Sequence, residues 1–372
     1  MPRRSRCKSF SSTLHVMSVL DRPSRMATLD AEGMLGILDR FGSDCAAAIR
    51  CADSVAPLPM STPVDQIVAC GMGGSAMGGE ILRRFSRSPT EVHRSGRLPS
   101  QTSDRTLLVA ISYSGNTTET LSALEQALET QARFLCVSSG GRLAELARER
   151  GLPLVVVPSG YPPRAALPYL GLGPLAVLGR SGLVSMPERW EEVFQGIAED
   201  GRRLGADVPT KDNSAKQIAI ALNGRVPVVI GVAGTTDLAA LRWKTQINEN
   251  AKQPAFCSVI PELLHNEILA WDEERSRRHL CAVVLRSQDD TEADASRAAY
   301  VSRLLREKRV PVIEVDAPGT SPHERVLRLL YLGDFVSVYL ALSRRVDPTP
   351  VLGIDAMKRS LGYVGRETPD VP

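Results

Sequence analysis

The chain is poor in the residues that build metal centres. It has five histidines in 372 residues, with no CxxC or HExxH spacing, which argues against the usual zinc frameworks. No metal and no cofactor is expected. No apolar run approaches the roughly 20 residues of a membrane span, so no membrane partner is expected. The net charge is only +3, with acids and bases interspersed. A basic footprint for nucleic acid is missing. Seven cysteines (Cys7, Cys45, Cys51, Cys70, Cys136, Cys257 and Cys281) form an odd, scattered set. Cys70 and Cys136 sit inside apolar runs, where a free thiol behaves as a small hydrophobe. The pattern points to a reducing cytoplasm rather than a disulfide framework.

What is present fits about two domains with a sizeable core. The first 25 residues are rich in Arg and Ser, with Asp21 the one acid. They fit a transit peptide loosely and lack the apolar segment of a secretory signal. The favoured reading is a disordered tail over residues 1–28, or a start assigned too early, with Met17 or Met26 as later candidates. Residues 29–52 carry an apolar stripe that predicts one helix.

Strand and helix patterns then alternate. Strands are expected at Gln66–Cys70, 91–94, Thr106–Ile111, 133–137 and 152–157. After a charged amphipathic helix over 187–204, the scheme repeats. Strands are expected at Val226–Val232, 254–259, Leu280–Arg286 and 310–315, with helices over 261–271 and 323–343. Such alternation predicts an α/β fold of two doubly wound parallel-sheet, flavodoxin-like domains in tandem. The expected boundaries are 29–185 and 213–346, with a helical linker over 186–212 and a tail over 347–372 contributing to the site.

Two stretches stand where such sheets bind ligands, beyond the carboxyl ends of strands. The first runs over 71–79, GMGGSAMGG, and reads as a glycine-rich loop opening a helix. Glycines allow close backbone approach, so Gly73, Gly74 and Ser75 read as sugar-binding. A dinucleotide fingerprint is disfavoured, because no acidic residue stands clearly at the end of the next strand. The second is VAISYSGNTTET over 109–120. An apolar strand ends in a turn crowded with hydroxyls, and the turn opens a helix. One hydroxyl would serve as a helix cap. Ser112, Ser114, Asn116 and Thr117 together are more than a cap needs. With the unpaired N–H groups and positive dipole of a helix start, they read as a phosphate clamp.

These two motifs resemble the sugar isomerase (SIS) domain family. More narrowly, the chain resembles the bifunctional phosphoglucose/phosphomannose isomerases, which have two such domains. The narrower resemblance rests on Pro162-Pro163-Arg164-Ala165-Ala166-Leu167-Pro168, Asn248-Glu249-Asn250-Ala251-Lys252, Pro261-Glu262-Leu263-Leu264-His265-Asn266-Glu267 and Asp347-Pro348-Thr349-Pro350. It implies a phosphorylated hexose substrate and a homodimer, with His265 donated across the interface. It implies that Glu249 moves a proton between C2 and C1 through an enediol, a task that suits a carboxylate. It assigns ring opening to His265, whose imidazole exchanges protons near neutral pH. Arg164 would stabilise charge on the enediol oxygen, Thr349 would serve acceptance of both C2 epimers, and Lys358 would stand at the edge of the site. Glu249 also falls near the end of its expected helix. The negative dipole there disfavours a carboxylate and would make it a stronger base.

Rivals stay open at this point. A non-catalytic sugar-phosphate sensor would keep the clamp but need neither Glu249 nor His265, and would often carry a DNA-reading helix-turn-helix, which is not seen. An isomerase of an amino sugar or heptose phosphate is the other rival. Its amidotransferase type needs an N-terminal Cys, where this chain has Met1-Pro2.

Overall fold

A computed structural model describes residues 19–58 and 62–362. Its core is two all-parallel sheets. The first holds β1 (Gln66–Cys70), β2 (Thr90–His93), β3 (Thr106–Ile111), β4 (Arg133–Ser138) and β5 (Leu154–Val156) in the order β2-β1-β3-β4-β5. The second holds β6 (Val226–Val232), β7 (Phe256–Ile260), β8 (Leu280–Arg286) and β9 (Val312–Asp316) in the order β7-β6-β8-β9. The first order is flavodoxin-like, and the second repeats its first four positions. Strands buried on both faces read as unbroken apolar runs; every residue of β3 is buried. The chain therefore has two doubly wound α/β domains in tandem.

Two expectations about helices change, and one about where order begins. The helix expected over 29–52 is two, Met34–Asp39 and Phe41–Ala52, which meet at Arg40, and a separate helix, Pro23–Leu29, stands ahead of a break over 30–33. The break follows from Gly33 at φ 72° and from the Asp30 carboxylate, which accepts the N–H groups of Met34 and Leu35 at 2.8 Å each. Order also begins earlier than expected. Leu20 and Met26 are buried in the core. The Lys216 ammonium donates to the carbonyls of Leu20, Ala206 and Val208 at 2.6, 2.7 and 2.8 Å, tying the start of the described chain down. Of the expected tail, residues 1–18 lie outside the described residues. The helix expected over 261–271 is two 3-10 turns, Glu262–His265 and Glu267–Trp271, separated at Asn266.

The expected glycine-rich loop is mostly helix, running Gly73–Phe85. Its glycines serve packing. A Cβ on Gly78 would lie 2.3 Å from the Leu170 carbonyl oxygen, so only glycine lets this helix meet Leu167–Arg180. The Pro322–Ser343 helix is longer and more apolar than any run was expected to be. At 22 residues it is long and apolar enough to cross a membrane, but it is mostly buried inside the protein. It packs on Asp237–Asn250 and Trp190–Leu204 as a core helix.

Candidate active site

The turn after β3 is held by its own backbone. Gly115 has φ 71°, and a Cβ there would lie 1.8 Å from the Gly140 carbonyl oxygen. The turn is thus pressed against the turn that follows β4. Ser112 is buried, and its hydroxyl lies 2.9 Å from that of Thr117. Thr117 is extended and makes no side-chain cap to the Thr118–Leu128 helix, so capping does not consume its hydroxyl. Ser114 is exposed and accepts the Asn116 N–H at 3.3 Å. Asn116 in turn accepts the Arg142 N–H at 3.0 Å, which makes it a strut between turns.

Ser75 joins the two motifs. Its hydroxyl accepts the Tyr113 N–H at 3.2 Å. Tyr113, which the sequence reading passed over, has a hydroxyl that donates to the Pro158 carbonyl at 3.0 Å and accepts the Tyr161 N–H at 2.8 Å. It therefore holds the segment leading to Arg164. A Cβ on Gly74 would fall 2.6 Å from the Pro163 carbonyl oxygen and 3.0 Å from the Arg164 Cα. The clamp, the Gly73–Ser75 helix start and Arg164 are therefore contiguous.

Arg164 is 4% exposed and ties the halves together. It donates to the Asn250 side chain at 2.6 Å and to the carbonyls of Pro348 and Thr349 at 3.0 and 2.8 Å. Its Nη1 lies 3.8 Å from the Glu249 carboxylate, which stays partly open to solvent. Burial holds the guanidinium below its usual range, while Glu249 pulls the other way. Glu249 sits in the last turn of Asp237–Asn250, as expected. Thr349 is buried, and its hydroxyl has no hydrogen-bond partner among the described residues.

Lys252, at φ 50°, donates to the Pro348 carbonyl at 2.7 Å. Burial, then the neighbouring Arg164 charge, push its ammonium down to about 8. Asn250 and Lys252 lie within the NENAK stretch but received no role from sequence alone. His265 and Lys358 are not brought to Glu249. Both are exposed, and neither has a hydrogen-bond or ion-pair partner among the described residues. Nor is any group of three or more His, Cys, Asp or Glu placed to hold a metal among those residues.

Residues 211–361 match the model of the bacterial phospho-glucose isomerase C-terminal SIS domain. A bifunctional phosphoglucose/phosphomannose isomerase from Caldicellulosiruptor bescii is 37% identical over 307 residues, covering 81% of this chain and 91% of the relative. The chain belongs to the bifunctional phosphoglucose/phosphomannose isomerase family. The chain is also similar to a protein with another name. A D-glucosamine-6-phosphate 4-epimerase from Sulfolobus acidocaldarius is 32% identical, over 64% of this chain and 74% of the relative. Among solved structures, a hypothetical protein from Thermus thermophilus shares the fold at a TM-score of 0.69 and 18% identity, covering 92% of this chain and 94% of that one.

Proposed function

We propose that this chain is an aldose–ketose isomerase that interconverts glucose 6-phosphate, and mannose 6-phosphate, with fructose 6-phosphate. The observation that carries the reading is the approach of Arg164 and Glu249 to 3.8 Å, one from each half, beside the hydroxyl-lined turns. A carboxylate can carry the C2 proton to C1, and a fixed guanidinium beside it stabilises the enediolate. Ser112, Ser114, Thr117 and the Gly73–Ser75 helix start hold the phosphate and nearby hydroxyls. The unpartnered Thr349 hydroxyl suits a hydrogen bond to the sugar at C2, where the epimers differ. His265, exposed on its own chain, opens the ring in the partner's site of a homodimer. Lys358 stands at the rim. The six described cysteines are all free, which supports a cytoplasmic setting.

The test is a coupled assay with fructose 6-phosphate as substrate and EDTA present. Glucose 6-phosphate and mannose 6-phosphate are the expected products. No product from the wild-type protein would overturn the reading.

Lys252 supplies a pH dependence. Its ammonium is charged below about 8 and neutral above it. An anionic substrate is held better by the charged form, so kcat/KM should fall as pH rises through about 8. In Lys252→Met this alkaline limb should disappear from the pH–rate profile. The stability term has its own sign. A lysine depressed in the folded state binds fewer protons there, so its destabilisation is present below about 8 and relieved as pH climbs toward the unfolded value.

A further inference from the structure

The two sheets repeat one order, so each has a crevice where strand order reverses. In the first sheet this lies between β1 and β3 and holds the candidate clamp. In the second it lies between β6 and β8. A cavity of about 660 Å³ opens there, lined by Thr235 after β6, Asp289 after β8, Thr320 and Ser321 after β9, and by Arg84 and His323. The size suits a small metabolite.

The cavity is the counterpart of the candidate active site. Helices Gly73–Phe85 and Asp237–Asn250 run in opposite senses. Arg83, near the end of one, lies 3.5 Å from Asp237, at the start of the other. The start of the first helix and the end of the second frame the Arg164–Glu249 site. Their opposite ends frame the cavity, about 18 Å away along a 13-residue helix. Glu249 is the penultimate residue of its helix, and Arg84 is the penultimate residue of the other. A cation therefore stands where the candidate catalytic carboxylate stands.

The charges around the cavity are mostly matched. Asp289 is held by Arg325 at 2.8 Å, Glu324 by Arg328 at 2.8 Å, and Glu192 by Arg189. Arg84 has no ion pair among the described residues, and its Nε is buried without a hydrogen-bond partner. Its guanidinium lies over the Phe85 ring, 5.5 Å from the centroid, and its charge reaches Asp289 and His323. The positive end of the 22-residue Pro322–Ser343 helix adds to the same field. Thr235, Ser185 and the Asp289 carboxylate offer partners to hydroxyls.

We propose that this cavity is a second, non-catalytic binding site for a small phosphorylated polyol. The phosphate meets Arg84, beside the Pro322–Ser343 helix start whose Glu324 N–H is already capped by Ser321. No carboxylate is placed like Glu249, so the ligand is held without proton transfer at carbon.

The probe is glucitol 6-phosphate, which has no carbonyl and cannot isomerise. Calorimetric titration of the full chain should give two molecules bound per chain. Arg84→Met should retain one and weaken the other by about tenfold or more, the scale of a charge-assisted phosphate contact. Arg84→Lys, which keeps the charge, should retain both. Turnover of fructose 6-phosphate in Arg84→Met should stay within about twofold of wild type, because Arg84 lies a helix length from Glu249. One molecule per chain in the wild type would overturn the proposal. So would two undiminished molecules in Arg84→Met, or one in Arg84→Lys.

Discussion

Glu249→Gln should lower kcat for fructose 6-phosphate by roughly 10³-fold, within the range a positioned acid–base group contributes. KM should change little. The amide keeps the shape of the carboxylate, and the proposed phosphate and hydroxyl contacts lie elsewhere, on Ser112, Thr117 and Thr349. Arg164 would keep its bonds to Asn250, Pro348 and Thr349, so the fold should be untouched. Steady-state kinetics separates the two parameters. Retained kcat would remove Glu249 from the mechanism and leave the isomerase reading standing. The same variant tests the proposed sharing of the site between two chains. His265→Asn alone should also be nearly inactive. Mixed and re-equilibrated with Glu249→Gln, it should recover about a quarter of wild-type activity. Half of the random dimers are mixed, and each mixed dimer carries one intact site of two. No recovery from verified mixed dimers would overturn donation of His265 across the interface.

The largest effect on stability is expected at Arg242. Its guanidinium holds Asp334 bidentately at 2.9 and 2.7 Å, and both residues are 1% exposed. It also donates to the Arg164 carbonyl at 2.9 Å. Arg242→Met strands a buried carboxyl and should cost about 3–5 kcal/mol in chemical denaturation. Burial already pushes the Asp334 carboxyl up, against the pull of Arg242. Without the arginine only the Gln246 hydrogen bond opposes that push, so the deficit should shrink as pH falls and the carboxyl takes up a proton. Arg242→Met combined with Asp334→Leu should recover most of the stability, since two apolar groups replace the pair. It should not recover full kcat/KM, because the Arg164 carbonyl loses its donor. Full recovery of both would show that the pair does not position Arg164.

Much of this was legible along the chain. The strands Val226–Val232 and Leu280–Arg286 are where their apolar runs put them, because a parallel strand covered on both faces leaves an unbroken apolar signature. The hydroxyl-rich turn after β3 was equally readable, since a strand, a turn and a helix start are local events. Boundaries failed where local pattern met a tertiary demand. Asp30 and Gly33 fix where the stripe's first helix begins, and the stripe itself is interrupted at Arg40. The helix expected over 261–271 broke at Asn266 into tighter turns.

Sequence by itself determined the α/β alternation and the hydroxyl-rich turn after β3, each a matter of residue type and near spacing, while Arg164, Glu249, His265 and Thr349 were singled out by the family resemblance. Only the tertiary structure decided that Gly78 is a contact surface for Leu170, that Arg164 binds Asn250 and Thr349, and that Arg84 faces a cavity while Glu249 faces the candidate site. The reason is physical. Those relations depend on how two sheets and their helices dock, between residues far apart in the chain, and docking leaves no period in the sequence to read.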